Sequence, residues 1–156
     1  MGEYPVDEAV ASLGRDWTTM LELQDRVAEI HGKPIVVESS PAPLGSRTSG
    51  LWLDTEKKAY IFLEPESSPM FRQHVLLHEF SHILLRHDGC DMTDATFHQL
   101  FPSLGSLERP LSVLRRTCEW NETEVAAELT ADQLMMRLRR QQRSAAAAPY
   151  NRMFGL

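Results

Sequence analysis

Five consecutive residues, His78-Glu79-Phe80-Ser81-His82, constrain this chain more than any other stretch. They match the pattern H-E-x-x-H. On a helix, residues i and i+4 lie one turn apart on the same face, so both imidazoles can reach one metal ion. Glu79 lies between them, within reach of a water on the metal's open position. Two histidines and a carboxylate would make the open tetrahedral zinc site of a hydrolase, with Glu79 as its general base. A third protein ligand must then arrive from elsewhere in the chain.

The flanking sequence agrees. Residues 70–87 contain neither Gly nor Pro, follow Ser-Ser-Pro and end at Asp88-Gly89, a helix-stop signal. Phe71, Val75, Leu77, Phe80, Ile83, Leu84 and Leu85 surround the motif with apolar side chains, as in a helix sunk in a core. The bland reading, two ordinary helix histidines beside an exposed glutamate, fits that setting less well.

With 156 residues, 42% of them hydrophobic and 24% charged, the chain has the composition of a globular domain. The expected division is one domain over residues 1–143 and a flexible C-terminal tail over 144–156. A net charge of −6 argues against a general nucleic-acid or membrane binder. No apolar run approaches the ~18–20 residues of a membrane span, and the N-terminus lacks a basic, apolar signal pattern. Cys90 and Cys118 make no disulfide framework, and their spacing fits no cysteine zinc motif, so buried thiols are expected. A cytoplasmic address follows as the expectation.

The coarse pattern predicts an α+β fold, a small three-stranded sheet packed on helices. Residues 6–13 read as one or two helical turns before Gly14. Asp16 resembles the N-cap of a helix running to His31, with Gly32 as its C-cap and Pro34 blocking continuation. Residues 34–38, 51–53 and 59–63 read as strands, the last two joined as a hairpin through the polar turn 54–58. If the edge of the 59–63 strand is free, it can hold an extended peptide beside the cleft. Residues 97–100 and 111–117 read as short helical turns. A long helix is expected over 121–143, capped by Asn121, with Glu122 and Glu124 in its first turn. Arg137, Arg139, Arg140 and Arg143 would complement the dipole in its last turn.

That helix offers the third ligand. Glu124, Glu128 and Asp132 recur at i, i+4 and i+8 on one face. Val125, Leu129 and Met136 border the strip on one side; Ala127, Ala131, Leu134 and Leu138 border it on the other. An acidic strip between two apolar edges is expected to be partly buried, where a metal would compensate its charge. Spacing alone leaves both Glu124 and Glu128 as candidates. Whichever does not bind metal can hydrogen-bond a ligand histidine from behind.

Several stretches together resemble the ImmA/IrrE family of small bacterial zinc metallopeptidases, in a compact actinobacterial-like form. They are G-K-P-I (32–35), G-L-W-L (50–53), Y-I-F (60–62), H-V-L-L-H-E-F-S-H-I-L-L-R-H (74–87) and E-V-A-A-E-L-T-A (124–131). The likeness covers about residues 16–140. The family's second motif is similar to E-x-E-A-[N/D/E]-x-x-A, which places Glu124 at its first glutamate, Ala127 and Ala131 at its alanines and Glu128 at its fifth position. The resemblance implies a zincin-like domain with Zn2+ on His78, His82 and Glu124, Glu79 as base and Glu128 behind a ligand. Ala126 stands where the family usually has another glutamate. A competing register, Glu128 with Asp132, is similar to the E-x-x-x-D of thermolysin-like enzymes and would move the third ligand to Glu128.

The expected chemistry is peptide hydrolysis by zinc-activated water, with Glu79 carrying a proton to the leaving amine. Tyr60, His74, His87 and His98 are candidate donors to the oxyanion. The resemblance further implies a protein substrate, a helix-turn-helix repressor controlling mobile-element or stress-response genes, with no direct nucleic-acid or membrane partner. Two rivals stand beside this reading. One is a non-catalytic anti-repressor or toxin–antitoxin-type binding protein, zinc-stabilised or metal-free, which the altered Ala126 position keeps open. The other is a metal hydrolase acting on something other than protein.

Overall fold

The computed structural model describes residues 5–40, 50–65, 67–87, 110–115 and 122–153, the backbone alone for 110–115, 123 and 145–153. The expected turn over 97–100, the Asn121 cap, His98, Cys90 and Cys118 lie outside these residues, and the helix expected to run as far as His87 ends earlier, at Leu84. Among the described residues the fold is α+β, and no helix is long and apolar enough to cross a membrane.

Helix α1 (Val6–Ala11) leads to α2 (Met20–His31). The cap of α2 is Thr19, whose hydroxyl accepts the Glu22 N–H at 3.1 Å. Asp16, expected there, pairs with Arg26 at 2.6 Å, and Trp17 is buried ahead of the helix. Gly32 ends α2 with φ 86°, a left-handed conformation that glycine adopts freely, and its N–H bonds Ala28 O.

Strands β1 (Ile35–Ser39), β2 (Gly50–Thr55), β3 (Ala59–Leu63) and β4 (Pro110–Arg115) form one mixed sheet in the order β1-β3-β2-β4. The hairpin of β2 and β3 appears as expected, closed by the Thr55 N–H on Lys58 O at 2.9 Å. Two expectations fail here. Residues 110–115 are a fourth strand, antiparallel to β2, rather than a helical turn. The outer edge of β2 supplies hydrogen-bond partners that local propensity cannot reveal, and Pro110 is tolerated as the first residue of an outer strand. Second, β3 is paired on both sides, parallel to β1 and antiparallel to β2, so no edge of β3 is free for strand addition.

Helix α3 (Pro69–Leu84) carries the H-E-x-x-H motif. The Ser68 hydroxyl accepts the Phe71 N–H at 3.2 Å, and Pro69 suits the first helical position. Every residue from Leu77 to Leu84 is buried, so α3 is wrapped on all sides, by the sheet on one and by α4 (Glu122–Met153) on another. Only Phe71 of its expected apolar set is exposed.

Helix α4 passes Arg143 without a break and continues to Met153. The tail expected to be loose is helical through Met153, consistent with the high helix propensity of Ala145 to Ala148. Arg137, Arg139, Arg140 and Arg143 therefore lie well inside the helix, away from the terminal turn where a dipole acts. Arg137 clasps α1 instead: its guanidinium donates to Val10 O at 3.2 Å and Gly14 O at 2.8 Å and lies 5.5 Å over the Trp17 ring.

Candidate metal centre

The centre lies between α3 and α4 rather than at a sheet edge. The i, i+4 spacing on α3 brings the His78 and His82 rings to 4.7 Å between centroids, with their Nε2 atoms 3.0 Å apart. Glu124, in the first turn of α4, meets both. Its Oε2 lies 3.0 Å from His78 Nε2 and its Oε1 lies 3.2 Å from His82 Nε2. Ala127 and Ala131, buried on the same helix face, leave the backbone of α4 free to approach.

The three donors fit a metal ion. Ligands held tetrahedrally at ~2.0–2.1 Å stand roughly 3.3 Å apart, within a few tenths of an ångström of these separations. His78, His82 and Glu124 are each no more than 2% exposed. Burial pushes the Glu124 carboxyl up, but hydrogen bonds to His78 and His82 outweigh it and hold the group at about 2. It is therefore an anion at neutral pH. Two imidazoles and one carboxylate in this arrangement can hold a cation.

Glu128 stands behind the centre. Its Oε1 is 2.8 Å from His78 Nδ1 and its Oε2 is 3.6 Å from His74 Nε2. A carboxylate beside Nδ1 favours the proton on that nitrogen, which would leave the Nε2 lone pair for a metal ion. At i+4 and i+8 from Glu124 the helix has turned by about 40° and 80°. Thus Glu124 is buried, Glu128 is half-buried and Asp132 is exposed, so the register built on Glu128 and Asp132 is not assembled. Of the two apolar edges expected beside the strip, Ala127, Ala131, Leu134 and Leu138 are buried, whereas Val125, Leu129 and Met136 are exposed. Ala126 is part-buried, and its missing carboxylate leaves the three-donor set intact.

Glu79 is buried on the same turn of α3, packed against the first residue of β2. A Cβ on Gly50 would lie 2.6 Å from Val75 Cγ1 and 3.1 Å from Glu79 Oε1, so only glycine allows this approach. Tyr60 stacks on Phe62 with ring centroids 5.9 Å apart, on the sheet face opposite Ile61, which packs in the core with α3. His74 is about one-third exposed and borders the centre through Glu128. His87, considered above only as an oxyanion donor, lies behind His82 with the two Nδ1 atoms 2.8 Å apart. Helical periodicity gave no signal for that contact, because the chain has left the helix before His87.

Compared with protein-family models, curated proteins and solved structures, the chain matches none.

Proposed function

We propose that this chain is a zinc-dependent endopeptidase of the H-E-x-x-H type on a zincin-like domain. The observation that carries the reading is the meeting of His78 Nε2, His82 Nε2 and the Glu124 carboxylate, with Glu79 on the turn between the histidines. Two imidazoles and a carboxylate suit zinc and leave one coordination position open for chemistry. Zinc held there supplies an acidified water and a polarised scissile carbonyl.

The chain's own residues do the rest. Glu79 takes a proton from the attacking water and delivers it to the departing amine, so that a C–O bond forms as the C–N bond breaks. Ionised Glu124 offsets part of the metal's charge, and Glu128 keeps His78 in the ligating tautomer. His74 and Glu128, the part-exposed groups of this cluster, connect it to the surface.

The proposed substrate is a helix-turn-helix repressor met in the cytoplasm. Its support is the resemblance to ImmA/IrrE metallopeptidases, together with a net charge of −6 that suits a basic DNA-binding partner. Glu79→Gln tests the reading. It should keep zinc and partner binding and lose cleavage. Undiminished repressor inactivation by that variant would instead establish a binding protein, and cleavage of non-peptide amides in preference to peptides would establish the other hydrolase.

A further inference from the structure

The proposed chemistry leaves one buried imidazole beside the centre unused. His87 is 5% exposed and packs edge-on against His82, with ring centroids 5.1 Å apart. We infer that His87 is a positioning residue, which accepts the Nδ1–H of His82 and thereby sets the tautomer and ring angle that aim His82 Nε2 at the metal. This rests on the reading of His78, His82 and Glu124 as ligands.

The backbone is built to make the contact. Had α3 continued, His87 at i+5 would stand about 140° around the helix from His82, where the two rings could not meet. Instead α3 ends at Leu84 and the chain folds back on itself. The Arg86 N–H bonds Ile83 O at 3.1 Å and the His87 N–H bonds His82 O at 3.1 Å. These are the two bonds of a Schellman turn, which requires a left-handed residue at its corner. That residue is Arg86, with φ 59°, the one non-glycine residue of positive φ among those described. A side chain disfavours this conformation, and glycine or asparagine is the usual occupant. The turn brings His87 under the ring of the residue whose carbonyl it bonds.

The two ligand histidines are then held differently. His78 Nδ1 lies on a carboxylate, Glu128 at 2.8 Å, whereas His82 Nδ1 lies on an imidazole at the same distance. With a metal on Nε2, each partner would face the Nδ1–H on the far side of the ring it supports. Partners of this kind typically change metal affinity by about 10- to 100-fold when removed.

The experiment uses the full chain with His87→Ala, His87→Asn and Arg86→Gly. It reads zinc affinity by chelator competition, the visible spectrum of the cobalt-substituted protein and the His82 tautomer by 15N NMR. His87→Ala should weaken zinc by about 10- to 100-fold and shift the cobalt bands. His87→Asn, whose side-chain carbonyl can take the same proton, should recover most of the affinity. Arg86→Gly, which accepts the left-handed corner, should bind as wild type. An alanine variant with wild-type affinity and spectrum overturns the inference, as does an asparagine variant no better than alanine. If wild type takes up neither zinc nor cobalt, the metallopeptidase reading falls and this inference falls with it, whereas a wild type that takes up metal beside an alanine variant of equal affinity overturns this inference alone. In the zinc-loaded wild type, His82 protonated on Nδ1 supports it, and protonation on Nε2 overturns it. The same spectrum decides if His87→Ala fails to fold.

Discussion

Glu124 Oε2 stands 3.0 Å from His78 Nε2, a buried contact between residues 46 apart in the chain. It joins the first turn of α4 to the middle of α3 and selects one carboxylate of the acidic strip over its neighbours. Purified wild-type protein is accordingly expected to hold about one zinc per chain, lost in His78→Ala and Glu124→Ala. Glu128→Ala should keep the metal with an affinity lower by about tenfold. Elemental analysis checks all four proteins, and loss of zinc with Glu128→Ala but not with Glu124→Ala would reverse the assignment.

Gly50→Ala should damage catalysis more than metal binding. The added Cβ would press on Val75, whose branched side chain has little rotamer freedom in a helix, and on the Glu79 carboxyl. Overpacking of this kind costs about 1–3 kcal/mol. Thermal unfolding and zinc content measured beside peptide cleavage should show a modest loss of stability, retained zinc and a large loss of turnover.

Ala127→Leu tests the close packing of α4. Ala127 is fully buried on the face that carries Glu124, so a larger side chain must push the helix outward. A stability loss of about 1–3 kcal/mol is expected, together with weaker zinc binding as Glu124 withdraws. Leu at the exposed position 125 should change neither.

Asp54 predicts a pH dependence away from the centre. Burial raises its carboxyl, but His31 and Lys33, each 2.9 Å away, hold it below the ordinary 3.8. A depressed carboxylate contributes stability that is present above its unfolded value and is lost as pH falls through its lower folded value. The stability gap between wild type and Asp54→Asn should therefore be full at pH 7 and should close below 3.8. Urea unfolding at several pH values measures it. A gap that is constant down to pH 2 would contradict the pairing.

Arg137→Ala should loosen α1 from α4. The guanidinium satisfies two carbonyls and covers Trp17, and hydrogen bonds from a charged donor are worth about 1.5–3 kcal/mol each at most. A fall in unfolding free energy of about that size is expected, with zinc binding unchanged. Arg137→Lys should recover only part, since one ammonium cannot reproduce the two-armed contact.

The sequence by itself determined the short-range features. The i, i+4 histidines, the buried character of α3, the glycine cap at Gly32 and the β2–β3 hairpin all follow from periodicity, turn residues and backbone conformation over a few positions. It also offered the strip Glu124, Glu128 and Asp132 as the source of a third donor. Spacing left the strip open and the resemblance favoured Glu124; it is the tertiary structure that brings Glu124 to the two histidines, because the strip rotates away from α3 as the helix turns and spacing does not say where the partner helix lies. The same holds for β4, whose strand character comes from the unpaired edge of β2, and for β3, whose edges are closed by strands distant in sequence. His87 belongs to this second group. A left-handed turn at Arg86 takes it out of helical register and returns it to His82, and no helical pattern in the residues themselves announces that reversal.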